Sequence, residues 1–293
     1  MDFRMNALKS RRGFLLTVSV LLIVIFALFF SQQFLQKSEG LSKAGSQVKG
    51  LERTAYSAEL LSLEAAKIIG TRASITSGSE SGTAEVTVSD SFPCGKNIQK
   101  LSEFRQIAEG DFAGLTNSEI SADFSRLLDG KSELIFSNGL YFECSYAPSG
   151  QHAEIYSVND ASVPERIEIT MDSNGSMNDV NAWQWDPSGD LEVSIDYTDS
   201  TIAVRASGRI DSSEQSVYSF NYSGGSIRII AGEIGGRKGS VKIEKDNGLE
   251  LDSSLSIKAI LPSEGLFESH FDSEITVKQL GFEKTSRLRP LGS

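Results

Sequence analysis

Residues 14–36 carry no charged side chain, and from Phe14 to Phe30 the only polar residues are Thr17 and Ser19. A helix crosses the hydrocarbon core of a bilayer with roughly 20 predominantly apolar residues. The run therefore predicts a transmembrane helix over 14–36, and it constrains everything that follows. Arg4, Lys9, Arg11 and Arg12 precede it against a single acid, Asp2. The positive-inside bias then makes residues 1–13 a cytoplasmic basic leader and exports the chain from about Lys37 onward. A cleaved secretory signal is the competing reading. Its apolar core spans about 7–15 residues and ends in small residues at alternate positions, whereas Phe29, Phe30, Gln32 and Gln33 stand where that cut would fall. The expected topology is single-pass, with the lipid bilayer as a partner, the N-terminus cytoplasmic and the C-terminal domain extracytoplasmic.

Charge and cysteine usage agree with an exported body. Removing the four basic residues and one acid of the leader from totals of 28 and 39 leaves the rest at about −14. Such a surface repels nucleic acid and anionic lipid headgroups, so no nucleic-acid partner is expected. The two cysteines, Cys94 and Cys144, both lie in the exported part. In an oxidising compartment they are expected to pair, closing a loop of about 50 residues worth roughly 4 kcal/mol in the chain-entropy account. Two buried free thiols are the alternative.

Helical periodicity continues past the apolar run. Leu41, Ala44, Val48, Leu51, Ala55, Ala58, Ala65 and Ile69 follow three-four spacing, with Ser62 in the one polar slot and charged residues on other faces. Residues 37–70 are thus expected as an amphipathic stalk helix, with Gly70 as its stop. At 1.5 Å per residue, one helix from Phe14 to Ile69 would be roughly 80 Å long, so its second half must pack on protein. The Ser-, Thr- and Gly-rich stretch 71–83 has no apolar period and reads as a linker. A mixed segment follows over 84–150, strand-like at Ala84–Ser89 and at Leu134–Tyr146. Between these, residues 97–129 read as a helical insertion, with Thr116 and Glu119 as a capping box and Gly130 as the stop. From 151 to 293 the pattern is β: about nine short alternating runs are separated by turns such as Thr198-Asp199-Ser200, Ser223-Gly224-Gly225 and Asp246-Asn247-Gly248. The expected fold class is α+β and mainly β, a long N-terminal transmembrane and stalk helix followed by an antiparallel, sandwich-like head.

Arg11-Arg12-Gly13-Phe14, followed directly by an uncharged apolar helix, resembles the class III signal of type IV pilin-like proteins. The long helix and the β-rich part after it resemble the pilin arrangement over residues 9 to about 70. The resemblance implies a cut between Gly13 and Phe14 by a prepilin peptidase, and assembly with copies of itself or with other pilin-like subunits into a filament or secretion complex. Bacterial major pilins usually carry glutamate at the fifth residue after the cut, where this chain has Val18. That departure favours a minor pseudopilin or an archaeal pilin-like component. A bitopic surface adhesin or sensor with a β-sandwich binding head is the alternative.

No catalytic constellation stands out, and the chain is expected to be non-enzymatic, with no cofactor and no metal. The two histidines, His152 and His270, lie outside any ligand spacing. Gly232–Ser240 lacks the lysine position and following helix of a phosphate loop and reads as a hairpin connection. Asp172-Ser173-Asn174-Gly175 lacks the later ligands of a calcium loop. Trp183, Trp185 and Tyr197 read as core or sheet-edge aromatics before they read as a sugar platform. Asn174 and Asn221 satisfy the glycosylation pattern.

Overall fold

The computed structural model describes residues 3–78, 82–94, 97–147, 150–262 and 267–292; at 3–23, 25, 34–36, 38–44 and 98 it describes the backbone alone. Helix α1 runs from Phe3 to Ile69. It is followed by β1 (Arg72–Ser77), β2 (Ala84–Phe92), α2 (Ile98–Ile107), α3 (Ala113–Thr116), β3 (Glu119–Asp123), α4 (Ser125–Leu128), β4 (Lys131–Phe136), β5 (Leu140–Ala147) and β6 (Gly150–Ser157). The remainder is β7 (Arg166–Ser173), β8 (Asp179–Asn181), β9 (Leu191–Thr198), β10 (Ala203–Ile210), β11 (Ser216–Tyr222) and β12 (Gly225–Ile234), then β13 (Arg237–Lys245), β14 (Ser253–Leu261), β15 (Ser269–Phe271), β16 (Glu274–Gln279) and β17 (Phe282–Arg287). The chain divides into two compact units, residues up to Arg53 and Thr54–Ser293.

The expectation of a transmembrane helix is corrected. The run 14–36 lies within α1, yet among the described residues no helix is long and apolar enough to cross a membrane. Past Phe30 the helix turns polar, with Ser31, Gln32, Gln33 and Lys37 within two turns. The Gly13–Phe14 junction lies among residues whose side chains are outside the description.

The second unit is mainly β and sandwich-like. One sheet has six strands in the order β1-β2-β14-β7-β9-β10, another has eight in the order β15-β4-β5-β6-β13-β12-β11-β8, and a small third is β17-β16-β3. Alternation sets the inner faces: in β9 Leu191, Val193, Ile195 and Tyr197 are buried while their neighbours are not, as period-two side-chain direction demands. The inner faces of the two large sheets meet where Tyr197 of β9 stacks on Phe220 of β11 at 4.2 Å. Trp183 closes the same contact, edge-on to Tyr218 at 5.5 Å and to Trp185 at 5.2 Å. The sheets are not wholly antiparallel. β7 pairs β9 in parallel, because the connection after β7 crosses to the other sheet as β8 before returning. A parallel neighbour needs that kind of long crossover.

Cys94, just past the end of β2, is bonded to Cys144 of β5, with Cα atoms 6.2 Å apart, a separation within the usual range for a bridge. The bond ties the six-stranded sheet to the eight-stranded one, and both cysteines are buried. The segment between them is less helical than expected. Asn117 at φ 49° ends α3. The Thr116 hydroxyl donates back to the Phe112 carbonyl at 2.7 Å instead of forward to a cap, and Glu119–Asp123 alternates as β3 beside β16. The short α4 is opened by Asp123, whose carboxylate accepts from the Ser125 amide and hydroxyl. Gly130, at φ 94°, does mark the stop.

Two domain boundaries also shift. Residues 72–77 of the expected linker form β1, which escapes a periodicity test because an edge strand needs little apolar surface; of its residues only Ala73 is buried. The expected division at 150/151 falls inside the β5–β6 hairpin, where Ala147 pairs Gly150. Residues 54–69 of α1 bury Thr54, Ala58, Leu61, Ser62, Ala65 and Ala66, a three-four stripe consistent with the expected face, and Gly70 at φ 85° ends the helix.

Two outcomes follow. Replacing Cys94 and Cys144 together by serine should lower stability by about 2–4 kcal/mol in denaturant titrations, with reductant having the same effect on the wild type and none on the double variant. At the β9–β10 turn, burial raises the Asp199 pKa, but hydrogen bonds from the amides of Thr201, Ile202 and Met177 and the Thr201 hydroxyl outweigh it and hold it at about 2. The unfolded chain therefore binds this proton more tightly than the folded protein. The stabilisation is complete above the ordinary value of 3.8 and is lost as pH falls toward 2. Asp199→Asn should remove about 1 kcal/mol at neutral pH, a figure reduced for solvent screening, and should flatten the stability curve between pH 4 and 2.

Candidate functional site

Two surfaces stand out from a chain whose large apolar side chains are otherwise mostly buried. The first belongs to the unit ending at Arg53. Val24, Phe26, Leu28, Phe29 and Phe30 are each 48–73% exposed. At 3.6 residues per turn these five positions spread over about 240° of the circumference of α1. A helix apolar over so much of its circumference is stable in water only when other elements cover it. Full burial of each such side chain is worth roughly 1.5–3 kcal/mol. Val48 and Leu51, further along, are about half exposed as well. They were expected on the packed seam, and the structure leaves them uncovered.

The second surface is the outer face of the eight-stranded sheet. Registration of β4, β5 and β6 places Glu133, Glu143 and Glu154 in one row across adjacent strands, and Lys242 of β13 continues it. Like charges in direct opposition destabilise a sheet, and here each carboxylate has its own cation. Arg126 pairs with Glu133 and reaches Asp272 at 2.6 Å. His152 stands 3.5 Å from Glu143, and Lys131 4.0 Å. Arg237 donates to Glu154 at 2.6 Å. The hydrogen bond from His152 leads the effects holding the Glu143 carboxyl below its ordinary range, whereas burial pushes Glu154 up against the pull of Arg237. Beside the row, Tyr141 and Tyr156 stack at 5.4 Å, with the Arg237 guanidinium 3.7 Å from the Tyr156 ring centre. Burial, followed by the neighbouring Glu133, pushes the Tyr156 hydroxyl up to about 12. With its charges engaged among themselves, this face stitches four strands together.

Arg237 is aimed by a two-residue hairpin turn, Gly235-Gly236, with φ 59° and 78°. That left-handed pair is the geometry glycine permits at lowest cost. The segment set aside as a phosphate loop is thus a hairpin connection between β12 and β13. Sequence reasoning missed Arg237 as a structural cation, because only register across β6 and β13 brings it to Glu154.

The other residues singled out from sequence are dispersed. Trp183, Trp185 and Tyr197 cluster between the sheets as core aromatics, and the Tyr197 hydroxyl meets that of Tyr222. His152 and His270 lie on different strands, the latter 3.2 Å from Arg287. Asn174 is exposed in the turn after β7, where its side-chain oxygen accepts from the Asp252 amide at 3.1 Å. Asn221 sits within β11, half-buried and paired with Asp179 and Ser226. Among the described residues no group of three His, Cys, Asp or Glu side chains is placed to hold a metal ion.

Arg237→Ala should destabilise the protein by about 3 kcal/mol, because it strands Glu154 in a buried position without its hydrogen-bonded cation. Adding Glu154→Gln should recover part of that loss in the same chemical denaturation.

Comparison with protein families, with curated proteins and with solved structures finds no match to this chain in any of the three.

Proposed function

We propose that this chain is a non-enzymatic, pilin-like subunit of a filament or secretion assembly. In this reading the apolar segment of α1 packs against equivalent segments of other copies or other pilin-like subunits, and the β-rich unit is displayed in an oxidising extracytoplasmic space. The observation that carries it is the band of exposed Val24, Phe26, Leu28, Phe29 and Phe30 on one helix. Helix-to-helix packing covers such a segment from several sides, which a single flat protein surface cannot do. The Arg11-Arg12-Gly13-Phe14 junction and the Cys94–Cys144 bridge support the same reading.

Protein recovered from its native source should begin at Phe14 on N-terminal sequencing. Gly13→Leu should block that processing and abolish incorporation into assemblies, while cysteine placed at Phe29 should give crosslinked oligomers. A wild-type chain still beginning at Met1 or Asp2, in a host with an active prepilin peptidase, would overturn the proposal and leave the surface adhesin or sensor as the better account.

A further inference from the structure

The fold treats the two Asn-x-Ser patterns of the chain differently. Asn174-Gly175-Ser176 lies outside regular structure, in the connection from β7 to β8, with Asn174 and Ser176 both exposed. That turn is pinned at both ends. The Asn174 amide donates to the Asp252 carbonyl at 3.1 Å, and the Asp252 amide donates back to Asn174 Oδ1 at 3.1 Å. Further on, the Met177 amide donates to the Asp199 carboxylate at 2.8 Å. Glycine is needed between them, because a Cβ at Gly175 would stand 2.3 Å from Leu251 Cδ1 and 3.0 Å from Tyr222 Cε1. A backbone donor at Oδ1 fixes which way the carboxamide faces. Nδ2 is therefore turned away from Asp252, and among the described residues it has no hydrogen-bond partner. The Ser176 hydroxyl reaches only Thr201 Oγ1, at 3.5 Å, too long for a strong hydrogen bond.

Asn221-Tyr222-Ser223 is closed where the first pattern is open. Asn221 is held within β11 between β12 and β8, opposite Ser226 and Asp179, and its carbonyl accepts from the Asn178 amide at 2.8 Å. Tyr222 is buried, with its hydroxyl against that of Tyr197. An enzyme that takes this stretch into its own cleft must first strip a strand from between two neighbours, leaving their backbone groups unpaired. The surroundings of Asn174 also suit a sugar chain. A shallow groove on the six-stranded sheet begins there and is lined, apart from Gly70 and Leu255, by polar side chains that include Thr170, Asp172, Ser254 and Ser256. Hydroxyls and carboxylates of this kind hydrogen-bond sugar hydroxyls.

We propose that Asn174, and not Asn221, is the acceptor of an N-linked glycan. In the transfer Nδ2 forms a bond to C1 of a sugar, and the bond from that carbon to the phosphate oxygen of a lipid-linked sugar pyrophosphate breaks. The lipid pyrophosphate leaves with the electron pair, and Nδ2 gives one proton to a base of the transferring enzyme. The inference rests on the extracytoplasmic display of the β-rich unit, and needs neither the cut at Gly13 nor assembly.

The test is peptide mapping by mass spectrometry of the full chain recovered from its native source. The peptide holding Asn174 should carry the mass of at least one sugar, and the peptide holding Asn221 should be unmodified. Ser176→Ala, which keeps Asn174 and its bonds to Asp252, should abolish the modification, Ser176→Thr should retain it, and Asn221→Gln should leave it unchanged. An unmodified Asn174 in the wild type, sugar on Asn221 in its place, or a modification that survives Ser176→Ala would each overturn the inference. The N-terminus of the same sample reads the pilin-like proposal independently. A chain glycosylated at Asn174 but beginning at Met1 removes that proposal and leaves this one standing, whereas a chain beginning at Phe14 with bare Asn174 does the reverse.

Discussion

Contact between the two large sheets is the constraint on which the β-rich unit depends. Helices α1, α2 and α4 contribute Ala58, Leu61, Leu101 and Leu127 to the core, but most of its side chains come from the two sheets, which bury their apolar faces against each other. Tyr197 against Phe220, with Trp183 wedged beside Tyr218, fills the meeting surface at one end. The Cys94–Cys144 bond fixes it where β2 ends against β5. Several irregularities follow from this closure. The chain leaves β7, contributes β8 to the opposite sheet and returns as β9, so β7 and β9 run parallel while the other strand pairs described are antiparallel, apart from the isolated parallel bridge between Arg72 and Leu291. The C-terminal tail is drawn back to the first strand, where the Ala73 amide donates to the Leu291 carbonyl at 3.0 Å.

Helix α1 carries two chemistries in one element. Residues 54–69 present small side chains, and Ala58, Ala65 and Ala66 are almost wholly buried. Alanine allows a helix to lie close to its neighbour while keeping high helical propensity. Val24, Phe26, Leu28, Phe29 and Phe30 present bulky side chains over most of the helix circumference, a pattern that one flat neighbour covers only in part. The same backbone therefore serves the core in one stretch and leaves a large apolar surface uncovered in the other. This contrast is the main reason to look for function in association instead of in a pocket.

The polar surfaces are differentiated as well. On the outer face of the eight-stranded sheet, three aligned glutamates are tolerated because Arg126, His152 with Lys131, and Arg237 each engage one of them. At β17 both signs occur, with Glu283 paired to Lys278 and Arg287 opposite Glu274 in register, beside an open strand edge. Exposed edges are ordinarily protected by charge that discourages self-pairing.

Much of the β architecture was legible in the residues. Leu191–Tyr197 and Glu274–Gln279 announce themselves by alternation, Gly70 and Gly130 by their place after helical runs, and the cysteine pair by its count and setting. The sequence alone determined these because side-chain direction has period two in a strand, and a left-handed backbone at a helix end favours glycine. Thr116 and Glu119 imitate a capping box, yet Glu119–Asp123 becomes β3 because its alternate residues Ile120 and Ala122 are buried in the strand beside β16. Residues 72–77 look like a linker because an edge strand needs almost no apolar content. The uncharged run 14–36 suggests a span, whereas among the described residues no helix is long and apolar enough to cross a membrane. The carboxylate row and Arg237 over Tyr156 depend on which strands become neighbours. Tertiary structure decided those features, because registers between residues far apart in the chain are settled by burying two sheets together and leave no local signal in either segment.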